Sequence, residues 1–454
     1  MFPSLEQKIQ ESGGNPARML RSLPANHHAF LYAPEYTTWF NEQTAWADSC
    51  VLFDQSHHMS DLTIKGPDAK RLISDTGVNS VKNLTRNRAK QYVAVGPDGD
   101  FIGDAVLFCM EEDEIRLIGP MVGSWVDFQA QHGGYDVELR HDPTTLYHPT
   151  GQRDFWRYQL NGPLTQQIVE KAAGGPIGRI PFFQMGEFEI AGTPVRALNH
   201  TMSGVPGDEY TGLELWGPAE HARRVLDTLM QAGAEFGLRR GGGVAYISSN
   251  NESGWIPAPV PAIYTHPELK AYRESVSAFS IEANLGIEGS FASDDIEDYY
   301  HTPWDLGYGR FIKFDHDFIG RSALEERAAQ PHRKKVWLEW NSDDVVRVMR
   351  DSLFGEEPRP KILSIPNPIP NTAYHDSVHK GDEFVGLSIF GGYTVNIRQM
   401  VTMAVVDEPH AYDGNQVTIT WGEPDGGTSR AFMAPHHTQT NIRASVRTTP
   451  PTHH

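Results

Sequence analysis

The chain has 454 residues, 39% of them hydrophobic, more than one core usually takes and enough to fill two or three. Lysine and arginine number 39 against 58 aspartates and glutamates, a formal charge of −19. Such a balance excludes sequence-independent nucleic-acid binding and makes any anionic ligand depend on local cations.

Residues 1–50 read as short helices around a loop, with Leu5 and Ile9 one turn apart after the potential cap Ser4. No basic segment followed by an apolar run opens the chain, and no stretch approaches the ~20 apolar residues of a membrane span. Two cysteines, Cys50 and Cys109, build neither a disulfide framework nor a Cys-based zinc site. A reducing, cytoplasmic location and no membrane partner are expected.

Val51-Leu52-Phe53 is strand-like, and Gly66-Pro67-Asp68 opens a helix carrying Ala69, Leu72 and Ile73. Residues 91–95 and 105–108 flank the turn Gly96-Pro97-Asp98-Gly99, a hairpin signal. A second mixed unit covers 155–240. Its best helix follows Gly217-Pro218, with Val225, Leu226 and Leu229 on one face, and ends near Gly233. Between Gly241-Gly242-Gly243 and Pro257 lies a polar segment from Tyr246 to Trp255 that reads as a loop, the kind of element that carries function on a rigid scaffold. The polar run 328–335 is the best domain boundary. The strands predicted beyond it, near 336–340, 383–389, 401–406 and 416–421, make a small antiparallel barrel or sandwich.

Several residues invite a role, each with a plain alternative. His57 and His58 follow a strand, where neighbouring side chains point to opposite faces, so regular geometry lets only one serve a given site. His27 and His28 stand in an N-terminal loop. Spacing among these four histidines requires no metal, and none is expected. Glu214 lies in the alternating strand Leu213-Glu214-Leu215-Trp216. It is either a solvated strand residue or, with both faces buried, a carboxylate in need of donors. Tyr246 and Trp255 are either core aromatics or site residues, and Asp104 equally suits a turn. No G-x-G-x-x-G, P-loop or H-E-x-x-H occurs.

In order along the chain, Gly66-Pro67-Asp68-Ala69, Gly96-Pro97-Asp98-Gly99 running to Asp104, Leu160-Asn161-Gly162-Pro163, Gly212 to Pro218, Lys313 to Leu324 and Gly386 to Tyr393 resemble the folate-dependent aminomethyltransferase family, the T-protein of glycine cleavage and its relatives. Phe53 to Met59, Ala89 to Val93, Glu252 to Pro257 and Ile296 to Tyr300 are similar to one branch, the tetrahydrofolate-dependent O-demethylases of vanillate and syringate. The resemblance implies an α+β fold of three domains in a cloverleaf. Residues 1–330 would form the folate-binding region of two interleaved subdomains, and 331–454 a C-terminal antiparallel β-barrel.

It also implies tetrahydrofolate as methyl acceptor, a small aromatic acid as substrate and no lipoyl carrier protein. Glu214 would accept from the pterin N–H groups, with Gln91, Gln159 and Trp255 lining the folate pocket. Tyr246 and His58 would carry catalysis at the aryl ether, Tyr246 as proton donor. His27, His28, His57 and Asn284 would reach the substrate. Asp104 stands where an acid serves the T-protein. This chain lacks the arginine that the vanillate enzyme carries near Gly119–Gly123, which favours syringate over vanillate or 3-O-methylgallate, and it has a longer loop at 204–211. Two other readings remain: another aminomethyltransferase or demethylase of the family, and a non-catalytic folate-binding protein.

Overall fold

The computed structural model describes residues 3–23, 31–200, 212–257, 259–367, 372–428 and 436–451. Two sheets and a barrel organise them. The first sheet is antiparallel throughout and runs Arg88–Val95, Phe101–Glu111, Glu114–Ile118, Asp61–Lys65, Glu138–Asp142. The second runs Arg239–Gly241, Val51–Asp54, Phe155–Asn161, Gly212–Pro218, Thr193–Asn199, Met185–Ile190. Its Val51–Asp54 strand precedes the whole first sheet in sequence, and its other strands follow it. The chain leaves the second sheet, builds the first, and returns to pair Phe53 with Gln159. The first sheet is drawn from one stretch, 61–142, inserted into the second, whose strands are split on either side of it.

Helix placement follows apolar spacing. In Ala222–Gly233 the residues Val225, Leu226, Leu229 and Ala232 are buried together against Leu213 and Leu215 of the neighbouring strand. The opposite face of that strand turns Trp216 onto Phe108 of the first sheet, ring centroids 5.2 Å apart. The Gly212–Pro218 strand is therefore buried on both faces, and Glu214 with it.

Six strands, Lys334–Trp340, Gln399–Val406, Glu383–Thr394, Asp376–Lys380, Gln416–Trp421 and Thr440–Arg447, close into the barrel. A two-stranded parallel pairing of Gly286–Glu288 with Thr372–Tyr374 connects the barrel to the middle of the chain. There Lys361 Nζ reaches Glu288 and Glu423 at 3.1 and 2.6 Å.

The segment expected as a loop is helical. Gly243–Ser248 and Asn250–Ser253 form two short consecutive helices. Gly242 lets the chain pass the backbone of Pro34, where a Cβ would lie 2.2 Å from the carbonyl oxygen. Gly254 ends the run at φ +77°, a left-handed cap that glycine adopts without strain. Glycines at both ends gave the sequence its loop-like look, but here they start and stop a helix.

The two sheets are joined by a buried ionic chain. Arg157, on the strand beside Glu214, bonds Glu214 Oε1 and donates to Asp61 Oδ1 at 2.8 Å. Arg153 donates to Asp61 Oδ2 at 2.5 Å, to Asp142 Oδ1 at 2.8 Å, and to the carbonyls of Ser56 and Met59. Arg116 stands 4.0 Å from Asp61. Three guanidinium groups thus balance three carboxylates, all buried. Removing one partner strands charge in a dry interior. Asp61→Asn is expected to lower stability by roughly 3–5 kcal/mol, read as a lower urea midpoint at unchanged slope. An unchanged midpoint would show that the chain does not hold the sheets together.

Candidate active site

A cavity of about 1040 Å³ lies where the two sheets, the short helices and the barrel meet. Tyr246, His58 and Glu214 line it, as do Gln91, Asp104 and Trp255. The structure therefore brings five of the ten residues singled out above, together with Asp104, to one space.

Tyr246 sits on the Gly243–Ser248 helix, 7% exposed. Gln55 Nε2 donates to its hydroxyl at 3.2 Å. The His58 ring lies edge-on to the phenol at 4.8 Å and Phe53 does so at 5.3 Å. Burial pushes the Tyr246 hydroxyl well above its ordinary pKa, and the Gln55 hydrogen bond partly opposes this. The residue stays a protonated phenol across the physiological range.

His58 occupies a turn after the Val51–Asp54 strand, and Arg153 holds that turn through the carbonyls of Ser56 and Met59. His57 faces Thr145, its Nδ1 3.1 Å from Oγ1, and does not line the cavity.

Glu214 is 3% exposed. Arg157 engages one of its oxygens, while His200 Nδ1 stands 3.8 Å from the other. Burial holds the His200 pKa below its ordinary value, against the pull of Glu214. Gln159 is the register partner of Glu214. Its amide donates to the His200 carbonyl at 3.0 Å and stays behind the cavity wall.

Asp104 is a second hub of the lining. Its Oδ2 receives Gln91 Nε2 at 2.5 Å, Trp255 Nε1 at 3.0 Å and the Tyr308 hydroxyl at 3.1 Å. Burial pushes the carboxyl up to about 6, against the Trp255 and Tyr308 hydrogen bonds and the charge of Lys335. Lys335, from the first barrel strand, is itself brought down to about 8 by burial, with Asp104 opposing. Trp255 is 38% exposed and forms a wall. Lys90, Arg310 and Lys313 add positive charge to the lining of an otherwise acidic protein.

Asn284 joins His57 and Gln159 outside the cavity lining. Its Nδ2 donates to the carbonyls of Ala278 and Ser280, and its Oδ1 accepts from Lys8 at 2.9 Å, so the amide closes a local turn. His27, His28 and the 204–211 loop lie outside the described residues. Sequence reasoning also missed Gln55, Tyr308 and Lys335, which reach the site through distant partners, and Asn250. Asn250 lies one helical turn beyond Tyr246 on the cavity face, and its buried Oδ1 has no hydrogen-bond partner among the described residues. That i, i+4 spacing is the one signal the sequence held for it.

Chemically, the cavity pairs a proton-bearing phenol near an imidazole with a carboxylate poised to titrate near pH 6. It is large enough for two molecules. Among the described residues, no group of three or more His, Cys, Asp or Glu is arranged to hold a metal ion, and no helix is long and apolar enough to cross a membrane.

Comparison with known proteins adds four findings. The GCVT N-terminal domain family matches residues 25–258. Syringate O-demethylase of Sphingobium sp. (strain NBRC 103272 / SYK-6) is 39% identical, over 98% of this chain and 95% of that protein. Sesamin methylene transferase of Sinomonas sp. (strain No.22) is 28% identical over 92% and 90%. The crystal structure of the glycine cleavage system aminomethyltransferase T from Bartonella henselae shares the fold, with a TM-score of 0.59 at 15% identity over 95% and 96% of the two chains.

The Asp104 carboxyl makes a sign-definite prediction. Its folded-state value lies above the ordinary 3.8, so its contribution to stability is complete below pH 4 and is lost as pH rises through about 6. Asp104→Asn removes that loss. It should gain stability over the parent between pH 4 and pH 7, by up to roughly 3 kcal/mol, measured by urea unfolding across pH. A difference that does not change with pH would contradict the assignment.

Proposed function

The chain belongs to the GCVT family of aminomethyltransferases and their relatives, and from that premise we propose that it is a tetrahydrofolate-dependent O-demethylase of methoxybenzoates, with syringate the favoured substrate. The observation that carries the reading is the single cavity onto which Tyr246, His58, Glu214 and the Asp104 hub all open. The likeness to a syringate O-demethylase over nearly the whole chain supports it. We assign folate binding to residues 1–330, with the barrel of 331–454 closing the cavity. An acidic chain and two buried free cysteines suit the cytoplasm. Catabolism of lignin-derived aromatics is the setting in which such ethers arise.

The residues present suit a folate. Glu214, held by Arg157, has an oxygen to offer a pterin's N–H groups, Trp255 a face to stack on, and Lys90, Arg310 and Lys313 charge for a glutamate tail. Bound there, tetrahydrofolate supplies N5 as the nucleophile for the methyl carbon. The protein's part is positional and protonic. Holding donor and acceptor in line is worth up to ~7–11 kcal/mol. As the carbon–oxygen bond breaks, its electron pair stays on the aryl oxygen, and Tyr246 gives that oxygen its proton. The two phenols have similar intrinsic acidity, but burial makes Tyr246 a weaker acid in place, so the transfer depends on hydrogen bonds that stabilise its oxygen as the proton leaves. Asp104, ionised above pH of about 6, takes the proton that the acceptor amine sheds.

Ring substituents meet an apolar wall of Ile118, Gly119 and Met121. No arginine stands at 119–123, which leaves room for a second methoxy group. This is the feature that favours syringate over vanillate and 3-O-methylgallate.

Incubation with tetrahydrofolate and syringate should give 5-methyltetrahydrofolate and 3-O-methylgallate in equal amounts. Activity only on an aminomethyl-lipoyl protein, or folate binding without transfer from any methoxybenzoate, would sink the reading. Tyr246→Phe should cut turnover by about 10²–10⁴-fold while folate affinity stays within a factor of two or so. Glu214→Ala should do the reverse, weakening folate binding first.

A further inference from the structure

We infer that Gln55 is the positioning residue that aims the Tyr246 proton at the ether oxygen, a role that rests on Tyr246 being the proton donor. The Val51–Asp54 strand continues one residue past its end, because the Gln55 N–H donates to the Arg157 carbonyl at 2.9 Å. Gln55 is thereby fixed to the same residue whose guanidinium holds Glu214. Alternation along the strand puts Phe53 and Gln55 on one face. Both reach Tyr246, a residue about 190 positions away in sequence. Phe53 lies edge-on to the ring at 5.3 Å and Gln55 Nε2 donates to the hydroxyl at 3.2 Å. His58 lies edge-on to the same ring at 4.8 Å.

A phenol has one proton and can accept hydrogen bonds at its oxygen. With an N–H donor on that oxygen, the proton is directed away from Gln55. A carboxylate in the same place would instead draw the proton back onto itself. The donation also strengthens as Tyr246 gives up its proton, because a hydrogen bond to an anionic oxygen is stronger than one to a neutral hydroxyl. Such an interaction is worth more in the transition state than in the ground state, which is the condition for a rate effect.

Burial frames the same point. Gln55 is 0% exposed. A leucine of similar volume would fill the site without a polar group to satisfy, and a buried amide carries a desolvation cost that packing alone does not explain.

The test is a double-mutant cycle on the full-length protein with methoxybenzoates and tetrahydrofolate. Gln55→Leu and Gln55→Asn (the latter polar but one methylene short) should each lower kcat by about 10–10³-fold, with KM for both substrates within about threefold. The loss should shrink for ethers bearing a ring nitro group, whose phenol leaves readily without a proton. In the Tyr246→Phe background, Gln55→Leu should cost nothing further. Gln55→Glu should be at least as slow as Gln55→Leu. Native turnover in Gln55→Leu, or a loss equal for all leaving groups and undiminished in the Tyr246→Phe background, overturns the role of Gln55 and leaves Tyr246 as donor. Full activity in Tyr246→Phe alone topples the donor reading, and the inference with it.

Discussion

The buried chain from Glu214 through Arg157 and Asp61 to Arg153 is the constraint on which the rest of the molecule depends. It crosses between two sheets that the polypeptide interleaves. One of its ends is the carboxylate that faces the cavity. The other is the pair of carbonyls that holds the His58 turn. Buried ion pairs seldom add net stability over apolar replacements, because desolvation offsets their attraction. Their strength is orientation. A carboxylate with one oxygen engaged by a fixed guanidinium has its other oxygen in a defined place, and ligand recognition needs that. Charge balance across three arginines and three carboxylates makes the arrangement tolerable in a dry interior.

A second convergence completes the site. Gln91 and Asp104 come from neighbouring strands of the first sheet, Trp255 follows the short helices, Tyr308 lies in a later loop, and Lys335 belongs to the barrel. Four separate stretches of chain meet around one carboxyl oxygen or its charge. Neither sheet nor barrel holds the site alone, so local loosening of any one unit reaches the chemistry. Gly254 shows how close the docking is: a Cβ there would lie 2.4 Å from the Trp337 ring, whose indole already donates to Asn251.

Much of this was legible in the sequence, for identifiable reasons. Hairpins, the Ala222–Gly233 helix and the barrel strands follow from local turn chemistry and hydrophobic period, which act over a few residues. The resemblance implied the barrel, but only four of its six strands were anticipated; Asp376–Lys380 and Thr440–Arg447 were not. Glu214 announced itself by sitting between two leucines in a strand, and burial on both faces explains why it needs Arg157. Asp104 looked like a turn residue because the three donors to it lie at positions 91, 255 and 308. Gln55 stood inside the Phe53 to Met59 segment that carries the resemblance, but nothing local singled it out, since its partner is Tyr246. Asn284 misled in the opposite way: it occupies a segment whose Ile281 lines the cavity, while its own amide is spent on its helix end and Lys8. The Gly-rich stretch at 241–254 misled because glycine marks helix ends as well as loops.

On the proposed function, the methyl group passes intact and directly between two ligands held in one cavity. The most direct test uses syringate whose methoxy groups are fully deuterated. If the account holds, 5-methyltetrahydrofolate forms with all the deuterium of one methoxy group retained, and the phenol keeps the ether oxygen. Loss of deuterium to solvent, or release of the label as a one-carbon compound not bound to folate, would contradict it.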